Sequence, residues 1–377
     1  MSNSKHTVCI HEGQHIGEFG GINTPIYTST SYGYLDTDER LYPRYFNIPN
    51  QLAVIEKVAK LEGADTGLVF SSGMAAISSV IFGLLKKGDH CVFQKGLYGG
   101  TMHFITDELE KFGIEYTVTE NNDPGTFERA IRKNTKVVYV ESPSNPLLSI
   151  TDLERVGRIC RAQNCISVID NTFASPINQN PIKFGIDIVL HSATKYLGGH
   201  SDICAGVVLS NSNLIDTIRN TALSLGGSLN ALMCYLLERS IKTMAVRVDK
   251  QNINAGIVAD YLNNQKNISA VYYPGLKNHP GHDIAARQML GFGGMLSFEL
   301  TGQDITSFQK RLKLIRPAMS LGGVESIICA PVTTSHRLVS KEQREKEGIR
   351  DNLLRLSVGI ESHEDLIADL QQALQSH

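Results

Sequence analysis

The chain has 377 residues, 42% of them hydrophobic and 20% charged, and a formal net charge of −2. That length suits one large α/β unit plus a second domain, and the charge balance offers neither a basic face for nucleic acid nor a polybasic run for a membrane surface. No run of 18 apolar residues marks a transmembrane helix and no apolar N-terminal stretch marks a signal peptide; seven scattered cysteines without a C-x-x-C pair read as reduced thiols of a cytoplasmic protein, not as a disulfide framework or zinc site.

Residues 1–45 are rich in Gly, Tyr, Thr and Ser and show no helical period. They read as an extended arm that lies on another domain or another subunit. From Asn50 apolar residues recur at helical spacing (Leu52, Ile55, Val58, Ala59), predicting a helix that ends at Gly63. A short strand follows at 66–70, then an apolar helix at 74–85 that stops at Lys86-Lys87-Gly88. Strands are expected at 90–94, 137–141, 166–170, 186–191 and 206–210, with helices at 108–112 and 152–162. Such continuous apolar runs suit strands buried on both faces, as in a mostly parallel sheet covered by helices. Beyond about residue 240 the texture shifts. A long helical segment (229–263) leads to alternating runs at 293–300 and 353–358, expected as half-exposed strands, and a closing helix at 366–374. The expected organisation is an arm (1–45), a larger domain (46–240) and a smaller α+β domain (241–377). The His279-Pro-Gly-His282 spacing reads as a turn, and no metal site is expected.

Two strand ends carry the chemistry. The strand Ile166 to Asp170 ends in a carboxylate, and the next, ending at His191, runs into Ser192-Ala-Thr194-Lys195-Tyr-Leu-Gly-Gly. Either residue alone reads as a solvated charge. Together they suit pyridoxal 5'-phosphate (PLP): a lysine condenses with its aldehyde, and a carboxylate keeps its pyridine nitrogen protonated. The phosphate needs a cradle, and Ser71-Ser72-Gly73-Met74 supplies a strand–turn–helix junction where free amides and the helix dipole meet an anion. Alone, that junction is an ordinary helix cap. Ser192 and Thr194 flank the lysine and are expected on the same phosphate. Tyr98, beside Gly99-Gly100, can lie flat on a cofactor ring or simply pack in a turn.

Together these stretches resemble the Cys/Met-metabolism (transsulfuration) family of PLP enzymes. The resemblance spans nearly the whole chain. It rests on Tyr42-Pro-Arg44, Ser72-Gly73-Met74-Ala-Ala, Tyr98-Gly-Gly-Thr, Glu141-Ser-Pro-Ser-Asn145-Pro, Asp170-Asn-Thr, Ser192-Ala-Thr-Lys195-Tyr, Ser320-Leu-Gly-Gly and Arg355-Leu-Ser-Val. It implies a PLP-dependent transferase fold of type I (aspartate aminotransferase-like) and a homotetramer built from two dimers, with the active site at the dimer interface. Tyr42 and Arg44 match the pair that reaches the neighbouring subunit's cofactor phosphate. Asn145 and Arg355 match the residues that hold the substrate α-carboxylate, for which a planar guanidinium is suited. Ser320 matches a position that orients Lys195. The implied catalytic set is Lys195, Tyr98 and Asp170.

The resemblance implies a carbon–sulfur lyase that eliminates a thiol from cystathionine or a related L-amino acid, giving a 2-oxo acid and ammonia. Alternatives are a γ-replacement transferase (cystathionine γ-synthase or O-acetylhomoserine sulfhydrylase type), a methionine γ-lyase, and a non-catalytic protein of the PLP fold. The chain departs from the family at four places. Asn47-Ile48-Pro49-Asn50 is one residue longer than the usual Asn-Pro-Thr. Met102-His103 stands where many cystathionine-handling members carry Asn-Arg. Met319 stands where many carry glutamate, and Gly100 where methionine γ-lyases carry cysteine.

Overall fold

The structure, a computed structural model, describes residues 3–35, 37–335, 337 and 341–375. The outer ends of the expected arm and of the expected C-terminal domain (1, 2, 376 and 377) lie outside that set.

The apolar runs of the first half form β1 (Thr66–Phe70), β2 (His90–Phe93), β3 (Glu115–Val118), β4 (Thr135–Glu141), β5 (Ile166–Asp170), β6 (Ile188–His191) and β7 (Gly206–Ser210). They make one seven-stranded sheet in the order β1-β7-β6-β5-β4-β2-β3. The pairs β2–β3, β2–β4, β4–β5 and β5–β6 are parallel, whereas β7 runs antiparallel to β6 and β1. Successive strand residues point to opposite faces. Val138, Val140 and Ile169 therefore enter one core, with Val58, Val156 and Leu237 from covering helices. Val137, Tyr139 and Val168 enter another, with Val80, Ile81 and Ile218. Both faces are dry, so the strands read as unbroken apolar runs.

The second sheet contains β8 (Ile268–Tyr272), β9 (Met295–Leu300), β10 (Arg316–Pro317), β11 (Ile327–Cys329) and β12 (Leu353–Ser357), in the order β10-β11-β12-β9-β8. One face, with Leu296, Phe298, Leu354 and Leu356, packs on the helices Met244–Asn263 and His363–Gln375. The half-exposed pattern expected for 293–300 and 353–358 is corrected here: every residue of β9 and β12 is buried. Their polar face turns inward, with the Ser297 hydroxyl donating to Pro146 O at 2.7 Å and Arg355 only 5% exposed.

Other differences have local causes. The helix expected at 108–112 is the tail of a longer one, Gly99–Glu108, continued as a 3₁₀ turn. Its start at Gly99-Gly100 reads as a breaker. The 229–263 segment is two helices, Ala231–Ile241 and Met244–Asn263, the first capped by Asn230. The segment expected as an arm contains a short helix, Lys5–His11, whose Lys5 Nζ donates to Pro176 O and Ile177 O. Beyond it apolar side chains stand in the open, Phe19 being 99% exposed. Among the described residues no helix is long and apolar enough to cross a membrane.

Candidate active site

Parallel pairing puts Glu141 of β4 opposite Asp170 of β5, and Asp170 opposite Leu190 of β6. Three strands thus end at one level, where ligands of open α/β sheets sit. Asp170 is buried, and its Oδ1 accepts from Thr172 N at 3.0 Å. Burial raises its carboxyl above the ordinary range, and the Thr172 hydrogen bonds oppose this only in part. Glu141 is buried too; burial first, then Asp170, pushes it up to about 8. Deeper in the same wall, His191 Nε2 lies 2.7 Å from Glu62 Oε1, both side chains being fully buried. Glu62 also accepts from Asn171 Nδ2 at 2.8 Å and Asn180 Nδ2 at 3.2 Å.

Lys195 lies in the turn after β6. Its Nζ donates to Ser320 Oγ at 2.7 Å. Burial first, and the Arg355 charge second, lower its ammonium from 10.5 to about 8. A near-neutral pKa makes the amine available as nucleophile and base. Only the neutral amine attacks an aldehyde, so the rate of covalent PLP loading is expected to rise with pH and level off above about 8. Borohydride trapping at a series of pH values measures it. A rate still climbing toward 10.5 would place the amine in solvent.

Ser320 holds a left-handed backbone, φ +87°, which costs a non-glycine residue about 1 kcal/mol or more. That conformation lets one residue serve two partners. Its hydroxyl meets Lys195, and its carbonyl accepts from Arg355 Nη2 at 3.0 Å. Arg355 Nη1 donates to Asn145 Oδ1 at 2.8 Å, while Nε is buried with no partner among the described residues.

At the other end, Gly73 opens the helix Gly73–Leu84. A Cβ there would lie 3.0 Å from Ser192 Cβ, so glycine lets the turn close on Ser192. Ser72 Oγ accepts from Ala75 N at 3.1 Å and caps the helix, and Met74 packs on the core below. The Thr194 hydroxyl both accepts from Ala205 N and donates to Ala205 O. Tyr98 N donates to Glu141 Oε2 at 2.8 Å, leaving the ring 43% exposed. A Cβ on Gly100 would stand 2.5 Å from that ring, which gives a steric reason for glycine there.

Lys195, Ser320, Arg355 and Asn145 thus form one connected set, joined to Tyr98 through Glu141. Tyr42 and Arg44 are engaged elsewhere in this chain: Arg44 lies over the Tyr42 and Tyr45 rings and donates to Leu223 O. The extra residue after them is absorbed locally. Asn47 spans from Tyr42 N to Arg40 O, Ile48 is buried, and Pro49 opens the next helix. The His279 and His282 rings hydrogen-bond to Gly281 N and Pro274 O, and no metal-ligand group occurs among the described residues. Sequence reasoning missed the roles of Glu141 and of the Glu62–His191 pair. Glu141 carried the same signal as Asp170, a carboxylate closing an apolar strand; the pair carried none.

These residues fit PLP. Asp170 is a buried carboxylate that makes no ion pair among the described residues, a place a protonated pyridine nitrogen would satisfy. The amides of the first helical turn at Gly73 and Met74 lack intrahelical acceptors and suit a phosphate. A lysine–carboxylate pair on the strand ends of a mostly parallel sheet is the arrangement of a PLP enzyme of fold type I. The chain belongs to the Cys/Met metabolism PLP-dependent enzymes, whose family model matches residues 6–375. It is 44% identical over 361 residues to the cystathionine beta-lyase of Lactococcus lactis subsp. cremoris (strain MG1363), covering 94% of each chain. It is 41% identical to the L-methionine gamma-lyase of Fusobacterium nucleatum subsp. nucleatum, covering 98% of this chain and 97% of that one. The solved cystathionine gamma-lyase of Lactobacillus plantarum, complexed with L-serine, superposes with a TM-score of 0.96 at 38% identity over 99% of both chains.

Proposed function

We propose that the protein is a carbon–sulfur lyase that eliminates a thiol from cystathionine or a related sulfur amino acid, yielding a 2-oxo acid and ammonia. The observation that carries this is the bridge made by Ser320: the amine of Lys195 and the guanidinium of Arg355 meet on one residue. A substrate carboxylate on Arg355 and Asn145 then brings its Cα within reach of Lys195. Bound PLP would supply an aldehyde for the substrate amine and a ring that takes up the electrons released at Cα. Lys195 removes the Cα proton and, for γ-elimination, the Cβ proton as well. Asp170 holds the proton on the ring nitrogen. Tyr98 covers the ring face and delivers a proton to the departing sulfur. Ser72, Gly73, Met74, Ser192 and Thr194 hold the phosphate, together with Tyr42 and Arg44 of a neighbouring copy.

The open arm supports that last assignment, because its apolar side chains need cover that this chain does not give. We read the assembly as a dimer of dimers, and the chain as an arm (1–45), a PLP-binding domain (46–240) and a C-terminal domain (241–377). The cysteines, all free and mostly buried, support a cytoplasmic setting.

Met319, 72% exposed beside Ser320, offers a soft apolar contact where a distal ammonium would need an anion. It suits a substrate with an apolar distal end, such as methionine, and gives the distal ammonium of cystathionine no counter-charge. The test is incubation of the PLP-loaded protein with L-cystathionine and with L-methionine, the oxo acid being identified by mass spectrometry. Pyruvate from cystathionine means β-elimination; 2-oxobutyrate from either means γ-elimination. No oxo acid from either substrate, with cofactor on Lys195, rejects the lyase and leaves thiol transfer onto an activated homoserine.

A further inference from the structure

Glu141 closes β4 as a buried carboxylate. Its two oxygens face different segments. Oε2 accepts from Tyr98 N, on the turn after β2, at 2.8 Å, and Oε1 accepts from Asn145 N, on the loop after β4, at 2.8 Å. The residue is itself anchored from below. Gln94 Nε2 donates to Glu141 O at 2.8 Å, and Gln94 Oε1 accepts from Glu141 N at 3.3 Å and from the Thr151 hydroxyl at 2.9 Å. From Asn145 the chain of bonds continues through Oδ1 to Arg355.

We propose that Glu141 is a positioning residue: its carboxylate ties the Tyr98 turn to the Asn145 loop, and so to Arg355, setting the ring-covering wall and the carboxylate clamp as one unit. The inference rests on the cofactor-site reading above. The chemistry requires a carboxylate. Two backbone N–H groups converge on the side chain, and a carboxylate presents an acceptor to each. An amide would present one acceptor and turn its NH₂ toward the other N–H. The site also makes a carboxylate expensive, because Glu141 lies opposite the buried Asp170 across the β4–β5 pair. Two backbone N–H bonds to its oxygens offset part of that cost. The two bonds end on the residues read as stacking on the cofactor and as holding the substrate.

The test uses the full chain saturated with PLP, comparing wild type, Glu141→Gln and Glu141→Asp. Loading is verified first by borohydride trapping on Lys195 in a separate aliquot, because reduction ends turnover. In folded, unreduced Glu141→Gln whose trapped aliquot shows full loading, the KM for the amino-acid substrate is expected to rise about ten-fold and the visible circular dichroism of the bound cofactor to change as the Tyr98 ring shifts. Combining it with Arg355→Lys should lose less than the product of the two single losses, because both act on one unit. Wild-type KM and circular dichroism in the loaded, unreduced variant, with multiplicative losses in the double variant, would overturn the proposal. Should Glu141→Gln fail to fold, Glu141→Asp decides. It keeps the carboxyl group but withdraws the oxygens by one carbon, so a raised KM supports the proposal and a wild-type KM overturns it. Absence of trapping in the wild type would instead defeat the cofactor-site reading, and this inference with it.

Discussion

Lys195→Ala is expected to lower turnover by about four orders of magnitude or more and to abolish borohydride trapping of the cofactor, while leaving the fold intact. The activity loss follows from geometry. Within the connected set, Lys195 is the one amine, and Ser320 aims its Nζ through a 2.7 Å bond. Alanine removes the nucleophile for the aldehyde and the base for Cα together. The intact fold follows from the electrostatics. Burial lowers the lysine's pKa from 10.5 to about 8, so below pH 8 the folded protein holds a charge its surroundings disfavour. A group with a depressed ammonium pKa opposes folding most at low pH, and its removal relieves that cost. With both proteins free of cofactor, the thermal midpoint of the variant at neutral pH should therefore match or exceed that of the wild type. Retained turnover would sink the assignment of Lys195, whereas lost turnover with a collapsed melting transition would mean that the lysine holds the fold rather than the chemistry.

Arg355→Ala should cut kcat/KM by roughly 10²–10³-fold, mostly through KM, for any α-amino acid substrate. The guanidinium is 5% exposed, fixed by Asn145 Oδ1 and Ser320 O, and keeps a buried Nε without a partner among the described residues. That unused donor is what a substrate carboxylate would take. Arg355→Lys should recover only part of the loss, since an ammonium supplies a point charge and no fork. A structural role is separated from a binding role by a second ligand. Inhibition by an amine that lacks the α-carboxylate should change little in Arg355→Ala, while inhibition by its amino-acid counterpart should weaken by the full factor. Equal weakening for both would show that the arginine shapes the pocket without touching the carboxylate.

Much of this was legible in the chain. The strands of the large sheet were readable because both faces are buried, which writes each strand as an apolar run, and Asp170 and Lys195 stood out because they interrupt such runs at their ends. The Gly73 junction was readable because a strand–turn–helix passage needs a residue without a side chain, here against Ser192. Arg355 was recognisable only by resemblance. By pattern it is a charge on an alternating strand, and alternation normally means one wet face. Here that face is turned inward, and Pro146 receives the Ser297 hydroxyl across it.

The sequence by itself determined the layered α/β fold, the family and the residue types of the chemistry, because local period, strand-end charges and short glycine junctions are properties of neighbours along the chain. Tertiary structure alone decided the burial of β9 and β12, the shared use of Ser320 by Lys195 and Arg355, the Glu62–His191 pair 129 positions apart, and the two-sided grip of Glu141. Those depend on which distant segments meet over the strand ends, and the desolvation that tunes Lys195 and raises Asp170 exists only once they have met.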